Sequence, residues 1–399
     1  MQNRQTNQVF NFDKFPNFEK DIDLKQRAWI EVKGKAIETN VRQLRSKLSK
    51  NCQFMAVVKA DGYGHDAKLV SEYAIKGGAS QLGVATLNEG IKLRSSGVKK
   101  PILILGNLYT KRDLIICFKN DLMPTISSIR ECLICNNIGK HFGLKFPLHL
   151  KVDTGMSRLG FEYNKFVQQF ENIKSFDNIS IEGIYSHLSS ADELNSLDPK
   201  SITQLQRQKF QELLKQINVD RNKNIKIHLA NSAAMLLDKN FHFHMVRIGL
   251  SMYGYKPLSK SNKNLLLKPA LSLKVKVAFI RTIDKGVSVS YGGKFVSHRK
   301  TKLAVLSIGY ADGVPRNLSG KINGIHNNRL YPQVGSITMD QMMVDITDSN
   351  EIKVGSTMVL LGSDGDKTIS PLEWARKSNT IPWEILCSFK NRLPRVQVD

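Results

Sequence analysis

The sequence predicts an α/β protein with two parts, an N-terminal (β/α)8 barrel of the TIM type and a C-terminal, mainly β domain. Short apolar runs alternate with amphipathic stretches over roughly the 250 residues that such a barrel occupies. From residue 266 onward the pattern changes to alternating runs between glycine-rich turns, which is typical of antiparallel strands. An open, doubly wound sheet produces a similar alternation in the first part, so this pattern alone leaves both arrangements open.

The barrel prediction depends on eight strand candidates, each a short apolar or alternating run. They are Phe54–Val58, Leu82–Ala85, Ile102–Leu105, Met123–Ile126, Leu148–Val152, Ile179–Tyr185, Ile225–Leu229 and Met245–Leu250. The longer segments between them have apolar residues at helical spacing, as in Asp66–Lys76 and Ile202–Ile217.

In the second part, Leu271–Ile283 alternates apolar and polar residues and predicts a half-exposed antiparallel strand. Further strands are predicted at Leu303–Ile308, Gln341–Asp345 and Met358–Leu361. The first 24 residues are polar and show neither pattern. We therefore predict an N-terminal extension over residues 1–24, the barrel over 25–265 and the β domain over 266–399.

The composition is that of an ordinary globular protein, with 399 residues of which 41% are hydrophobic and 24% charged. Five cysteines, an odd and scattered set, argue against a disulfide framework. Cys132 and Cys135 form one C-x-x-C pair without a second pair, and we interpret them as two thiols on a helix. His242 and His244 alternate along a predicted strand without a third ligand, so we predict no metal site.

The charge balance tests whether the protein binds nucleic acid. Lys and Arg number 59 against 35 Asp and Glu, which gives a net charge of +24 and is one property of nucleic-acid-binding proteins. The excess is spread along the chain without a long basic run, so we predict no nucleic-acid partner. No segment approaches the roughly 18 consecutive apolar residues of a membrane span, and the N-terminus lacks the apolar core of a signal peptide. We therefore expect a cytoplasmic protein without membrane association.

Chemically reactive side chains recur where the predicted barrel strands end. They are Lys59 after the first strand, Arg158 after the fifth, His187 at the end of the sixth, Asn231 and Ser232 after the seventh, and Arg247 within the eighth. Barrel enzymes carry their active sites at the C-terminal ends of the strands, commonly with a phosphate site after strands 7 and 8. A barrel would therefore bring these side chains together around one mouth.

Lys59 directly follows an apolar strand. Partial desolvation there lowers the pKa of an amine and makes it a candidate Schiff-base nucleophile. A lone lysine at such a place is more often a surface residue. Here Gly62 and Gly64 follow and permit close backbone approach, with Tyr63 between them.

The segment Val58–His65, which reads VKADGYGH, resembles the pyridoxal-phosphate (PLP) attachment motif of alanine racemases. Further segments resemble the same family: Asp153–Gly160, Ala230–Ala234, Val246–Gly249, Ser290–Gly292, Gly309–Gly313 and Thr338–Gln341. These seven segments are in the family's order over roughly residues 27–396. The lysine motif alone would indicate only the wider family of barrel-fold PLP enzymes.

The resemblance implies PLP as cofactor, bound covalently by Lys59, which also acts as an acid–base group on one face of the substrate. It implies that the phosphate is held by Tyr63, Asn231, Ser232, Gly249 and Leu250. Arg247 would face the pyridine nitrogen, with His187 against the ring, and Arg158 would meet the phenolic oxygen and the substrate carboxylate. Lys151 matches a lysine that is carbamylated in some members and would position Arg158.

The resemblance assigns the second acid–base group to Tyr291. In the family this tyrosine reaches the site from the partner subunit, as do the residues matching Met339 and Asp340, which implies a homodimer with shared active sites. The implied activity is the interconversion of L- and D-alanine by a two-base mechanism, which supplies D-alanine for peptidoglycan.

Alternatives remain open at this point. One is a broad-specificity or serine racemase, and another is a non-catalytic PLP-binding or nucleic-acid-binding regulator, which the net charge alone supports. Two positions also depart from the family pattern. Trp383 stands where tyrosine is usual, so one phosphate contact is in doubt, and Asp66 replaces the usual glycine.

Overall fold

A computed structural model describes residues 25–399 except 26, 220–224, 258–264 and 390. The predicted extension over residues 1–24 lies outside the described part of the chain.

The described chain alternates strands and helices in its first part and is mostly strand in its second. The strands are β1 (Ala28–Lys33), β2 (Gln53–Val57), β3 (Gln81–Val84), β4 (Ile102–Ile104), β5 (Met123–Ile126), β6 (Phe146–Asp153), β7 (Phe161–Glu162), β8 (Ile179–Tyr185), β9 (Lys226–His228), β10 (Met245–Ile248), β11 (Leu271–Ile283), β12 (Ser288–Val289), β13 (Phe295–Val296), β14 (Thr301–Leu306), β15 (Asn323–His326), β16 (Arg329–Val334), β17 (Met342–Asp345), β18 (Thr357–Asp364), β19 (Lys367–Ile369) and β20 (Arg395–Val398). The helices are α1 (Gly34–Arg45), α2 (Lys59–Gly64), α3 (Ala67–Lys76), α4 (Leu87–Ser95), α5 (Lys111–Lys119), α6 (Ile129–Phe142), α7 (Tyr163–Lys174), α8 (Ile202–Gln216), α9 (Ser232–Leu237), α10 (Pro371–Ser378) and α11 (Pro382–Ser388).

Eight parallel strands close into a barrel in the order β2-β3-β4-β5-β6-β8-β9-β10, and β10 returns to pair with β2. Each of the eight strands overlaps one of the predicted runs, so the barrel prediction is confirmed and the open sheet is excluded. Inside the barrel, Met55, Leu103, Met123, Tyr185 and Met245 form a separate apolar cluster. Met123 and Met245 begin their strands and Tyr185 ends β8, so this cluster fills the barrel interior along the strands, and the Arg247 side chain lies over the Tyr185 ring.

The second sheet has nine strands in the order β19-β18-β15-β16-β17-β14-β11-β1-β20. Its strand β1 lies within the segment that we assigned to the barrel, but it pairs antiparallel with β11 and parallel with β20. The Glu31 carboxylate on β1 pairs with the Lys274 ammonium on β11 at 2.7 Å, and the Trp29 indole N–H donates to Glu31. The ion pair between Glu31 and Lys274 helps to hold β1 in the second sheet. The sequence did not predict this pairing, because β11 and β20 are far from β1 along the chain.

Two smaller predictions have different outcomes. Cys132 and Cys135 lie buried on α6 as unpaired thiols, as expected. The predicted strand position of His242 and His244 is wrong, because both precede β10. The His242 ring accepts a hydrogen bond from the main-chain N–H of Ser49 through Nδ1, and its Nε2 lies 2.9 Å from the carbonyl oxygen of Met235. Structural hydrogen bonds therefore occupy this histidine.

Candidate active site

Lys59 is half-buried at the point where β2 ends, and the backbone that follows it is left-handed. Residues 60–63 all have φ between 52° and 62°. The left-handed conformation costs roughly 1–2 kcal/mol for each residue with a side chain, so consecutive residues rarely adopt it. Gly64 continues the turn at φ 76°, and a Cβ there would lie 2.4 Å from the carbonyl oxygen of Leu386 on α11. The strained turn is therefore packed against the C-terminal helix.

Several hydrogen bonds hold this turn. The N–H of Gly62 donates to the carbonyl oxygen of Val58 at 2.9 Å, and the carboxylate of Asp61 accepts from the N–H of Ala67 at 3.0 Å. Asp66, the departure from the family's glycine, has φ 77° and accepts two N–H groups at the start of α3. An aspartate tolerates this conformation because its side chain makes such local bonds.

Tyr63, Ser232 and Gly249 come together at the ends of β2, β9 and β10. The N–H of Gly249 donates to Ser232 Oγ at 3.0 Å. A Cβ on Gly249 would lie 2.5 Å from the Tyr63 hydroxyl oxygen, so only glycine permits this approach. Leu250 follows as the first residue of a short 3-10 turn. The predicted phosphate-binding residues thus form one small polar cradle.

Asn231, the remaining member of that set, has a structural contact of its own. Its side chain accepts from the N–H of Ala234 and caps α9, whereas Ser232 is the first residue inside the helix. Ser232 is therefore not the N-cap of α9. Its hydroxyl lies inward instead, bonded to Gly249.

The Arg247 side chain is buried in the barrel and fully engaged. Its guanidinium is 3.0 Å from Nδ1 of both His187 and His228. It also donates to the carbonyl oxygens of Ser186 and Leu229 at 2.8 and 3.1 Å. No carboxylate pairs with Arg247 within the described ranges. Burial lowers its pKa to about 10, so the guanidinium remains charged near neutral pH.

The two imidazoles beside Arg247 have a defined protonation state. A guanidinium can only donate hydrogen bonds, so both Nδ1 atoms must be acceptors. Burial, and then the charge of Arg247, hold the pKa of His187 and that of His228 well below the ordinary value. His228 is left with its proton on Nε2, which lies 2.9 Å from Nδ1 of His149.

His149 and His228 were missed by the sequence analysis. Both are fully buried, on β6 and β9 respectively. The available signal was an imidazole in an otherwise apolar run, which is also what an ordinary satisfied core histidine looks like.

Arg158 lies on a loop that one carboxylate organises. Asp153 accepts the main-chain N–H groups of Gly155, Met156 and Arg158 at 2.8 to 3.1 Å. Burial alone would raise the pKa of Asp153, but these bonds lower it below the ordinary value. The Arg158 side chain is exposed.

The mouth is strongly positive. Lys151 is buried on β6, and burial, followed by the charges of Arg247 and Arg158, lowers its pKa to about 8. The charge of Lys59 acts in the same direction, and Asp153 opposes it. The charged groups that act on Lys151 are thus three cations and one carboxylate. Such a field, with the cradle at Gly249, fits a ligand that carries a phosphate and a phenolate.

Tyr291, Met339 and Asp340 lie on the second domain. The Tyr291 side chain is 73% exposed and Met339 53%. Their two loops are joined, since Ser290 Oγ donates to the carbonyl oxygen of Ser336 and Ser336 Oγ donates to that of Tyr291, both at 2.8 Å.

The polar contacts that hold the same two loops are with residues of the second domain. Asp340 pairs with Arg392 at 2.7 Å. In the part of the chain that the structure describes, the Tyr291 hydroxyl has no hydrogen-bond partner, and no hydrogen bond or ion pair joins Tyr291 to His187 or Lys59. Trp383, half-buried near the start of α11, packs against the main core.

The chain was compared with known proteins. The family model for the alanine racemase N-terminal domain matches residues 32–257, and that for the C-terminal domain matches 270–397. The alanine racemase of Prochlorococcus marinus is 50% identical over 377 residues, which cover 94% of this chain and 97% of that protein. The alanine racemase of a Nostoc species is 43% identical over 375 residues, covering 94% and 96%.

Solved structures of alanine racemases have the same fold as this chain. An alanine racemase of Clostridium difficile 630 superposes with a TM-score of 0.86 at 32% identity, covering 93% of this chain and 96% of that one. The alanine racemase of Bartonella henselae, with covalently bound pyridoxal phosphate, gives 0.83 at 29% identity, covering 93% and 99%. This chain therefore belongs to the alanine racemase family.

Proposed function

We propose that this chain interconverts L- and D-alanine with PLP held at the barrel mouth by Lys59. The observation that carries this proposal is the single mouth where a strained lysine turn, the Ser232–Gly249 cradle and the buried Arg247 meet. Alanine racemases are PLP enzymes, and the net positive field of this mouth suits the cofactor's phosphate. When bound, PLP withdraws electrons from Cα of the amino acid and so makes its Cα proton acidic.

In this proposal each residue at the mouth has one task. Tyr63, Ser232 and the N–H groups of the Gly249–Leu250 segment hold the phosphate, with Asn231 fixing the helix beside them. Arg158 binds the substrate carboxylate and the phenolic oxygen. Lys59 binds the cofactor covalently and then takes or returns the proton on one face of Cα.

Arg247 tunes the reaction through its charge. The neutral His187 and His228 fix the orientation of the guanidinium, which would hold a positive charge near the pyridine nitrogen of bound PLP and disfavour protonation there. Limited electron withdrawal favours return of a proton to Cα over other outcomes. We also propose that the neutral amine of Lys151, whose pKa is lowered, adds carbon dioxide and releases one proton, so that the resulting carbamate would place a negative charge near Arg158.

The second proton carrier is Tyr291, which we propose acts in the site of a partner subunit, with Met339 and Asp340 on the substrate side. Contiguous patches of exposed apolar residues mark interfaces, whereas single ones are common. Besides Tyr291 and Met339, the loop after β8 exposes Leu194 at 77% and Leu197 at 52%. We therefore propose a homodimer with two shared sites.

The test is a chiral assay of PLP-loaded protein given L-alanine, L-serine and L-leucine separately. Fast D-alanine, slower D-serine and no D-leucine are the expected results. Comparable rates on all three would replace alanine by a broad-specificity assignment. No racemisation by protein with PLP bound at Lys59 would contradict the proposal.

A non-catalytic nucleic-acid-binding regulator is the rival from another class, and only the net charge of +24 favours it. Salt-dependent retention on DNA without turnover would support it. We further propose a cytoplasmic enzyme that supplies D-alanine for peptidoglycan. Within the described residues, no helix is long and apolar enough to cross a membrane.

A further inference from the structure

Helix α4 begins with a capping box that contains Glu89. The main-chain N–H of Glu89 donates to the Thr86 hydroxyl at 3.3 Å. In return, Glu89 Oε2 accepts the N–H groups of Ala85 at 2.7 Å and Thr86 at 3.1 Å. One carboxylate oxygen is sufficient for this capping function.

The second oxygen of the same carboxylate has a different partner. Glu89 Oε1 accepts the main-chain N–H of Ala60 at 2.7 Å. Ala60 directly follows Lys59 and is the first residue of the left-handed turn, with φ 52° and ψ 50°. The contact therefore connects the start of α4 to the residue beside the cofactor lysine.

A second capping box shows what Glu89 does beyond capping. Glu131 on α6 accepts from Ser127 at 2.7 Å and Ser128 at 3.1 Å, and its N–H donates to the Ser128 hydroxyl at 3.3 Å. These distances match those at Glu89. The difference is the contact with Ala60, for which the described residues provide no counterpart at Glu131.

We propose that Glu89 is a positioning residue for Lys59. It positions the lysine by holding the left-handed turn through a hydrogen bond from the Ala60 amide. Ala60, Asp61 and Tyr63 have a left-handed conformation that is unfavourable for residues with side chains, and such strain persists only where surrounding contacts fix it. The bond from the Arg395 guanidinium to the carbonyl oxygen of Gly64, at 3.1 Å, holds the far end of the turn. Glu89 holds the end next to Lys59 with a charge-assisted bond. The proposal rests on Lys59 being the cofactor lysine.

The test compares Glu89→Asp with Glu131→Asp. An aspartate at this helix position still completes a capping box, as Asp113 does with Thr110 on α5. The side chain is one methylene shorter, so it cannot also reach Ala60. Both variants therefore keep the helix cap, and only Glu89→Asp loses the bond to the turn.

The first readout is hydrogen–deuterium exchange of the Ala60 amide in protein without PLP. We expect exchange to be faster by on the order of 10-fold or more in Glu89→Asp and unchanged in Glu131→Asp. The second readout is kinetic. In PLP-loaded protein kcat should fall on the order of 10-fold in Glu89→Asp with little change in KM, because misplacement of Lys59 affects the proton transfer more than substrate binding.

Equal effects in the two variants, or unchanged Ala60 exchange in Glu89→Asp, would overturn the proposal and leave Glu89 with capping alone. If Glu89→Asp fails to fold, Thr86→Ala and Glu89→Ala provide the comparison. Thr86→Ala weakens the cap but keeps the Ala60 bond, whereas Glu89→Ala removes that bond, so faster Ala60 exchange only in Glu89→Ala supports the proposal and equal exchange in the two overturns it. Because exchange is measured without PLP, it is independent of whether the unsubstituted protein racemises alanine.

Discussion

The barrel mouth and the Tyr291 face of the second domain are built in opposite ways. At the mouth, Arg247, Ser232 and Lys151 are 4–6% exposed, and buried partners surround them. On the second domain, Tyr291 is 73% exposed and its hydroxyl is without a hydrogen-bond partner in the described chain. One half of the proposed site is thus preorganised by the protein core, whereas the other half is presented outward. This difference is what we expect if, as proposed, one chain binds the cofactor and Tyr291 acts in the site of a second chain.

The largest expected effect comes from removing the lysine at the mouth. Lys59→Ala should abolish the yellow absorbance of covalently bound PLP and lower racemisation on the order of 10⁴-fold or more, because both the covalent link and one acid–base group are lost. Absorbance spectra and chiral assays measure this. Retained covalent PLP after borohydride reduction would show that another lysine holds the cofactor.

The next largest effect is expected from substituting Tyr291, on the outward-facing half of the proposed site. Tyr291→Phe should slow proton abstraction from one alanine enantiomer by about 10²-fold or more, and affect the other much less. The rate of exchange of the Cα proton with deuterated water, measured separately for L-alanine and D-alanine, gives the rate of proton abstraction from each enantiomer. Tyr109→Phe, at a tyrosine 89% exposed on a barrel loop, is the matched control and should change neither. Small and equal effects on both enantiomers would argue against Tyr291 as the second base.

Acid should lower the free energy of unfolding through the buried histidines in and around the barrel mouth. Burial lowers the pKa of His65 to about 4 and that of His149 to about 3, and holds those of His187 and His228 well below the ordinary value. Below about pH 6.5 the unfolded chain binds protons at these positions and the folded chain does not, so stability falls as the pH falls. Well below about pH 6.5, and above its folded-state pKa, the loss from each histidine approaches about 1.4 kcal/mol per pH unit; at about pH 7 it is smaller.

Urea unfolding between about pH 7 and about pH 5 measures this loss. His149→Gln removes one of the four groups and should give a shallower pH dependence than the unsubstituted protein. An unfolding free energy that stays constant over this range would contradict the neutral state assigned to these imidazoles.

The smallest effect concerns the departure at α11. Trp383→Tyr should strengthen PLP binding by up to about 10-fold, because a tyrosine hydroxyl can add one hydrogen bond at a place where the indole carries no hydroxyl. The measurement is the dissociation constant of PLP for the variant and for the unsubstituted protein, determined by equilibrium dialysis with protein freed of cofactor. Weaker binding would mean that the packing of Trp383 against the core matters more than a restored hydroxyl.

The same comparison explains what the sequence could predict. The eight barrel strands were predictable because burial imposes a short apolar run on each, and Lys59 and Arg247 could be placed because they end or interrupt such runs. The pairing of β1 with the second sheet could not be predicted, because its partners β11 and β20 are distant in sequence.

At the site, two features also escaped sequence reasoning. The left-handed conformation at Ala60 was hidden because only the glycines of that turn signal it. The second contact of Glu89 was hidden because a capping-box glutamate looks the same whether one or both of its oxygens are used. In both cases the missing information is a tertiary contact that constrains a local choice.

Subunit complementation tests the central claim most directly, that a mouth from one chain works with Tyr291 from another. Lys59→Ala and Tyr291→Phe chains, each nearly inactive alone, would be mixed under conditions that exchange subunits, and the heterodimer purified by two different affinity tags. If sites are shared, one of its two sites contains both Lys59 and Tyr291, and activity should return to about half that of the unsubstituted dimer. A verified heterodimer without recovered activity would place Tyr291 in the site of its own chain and contradict the account.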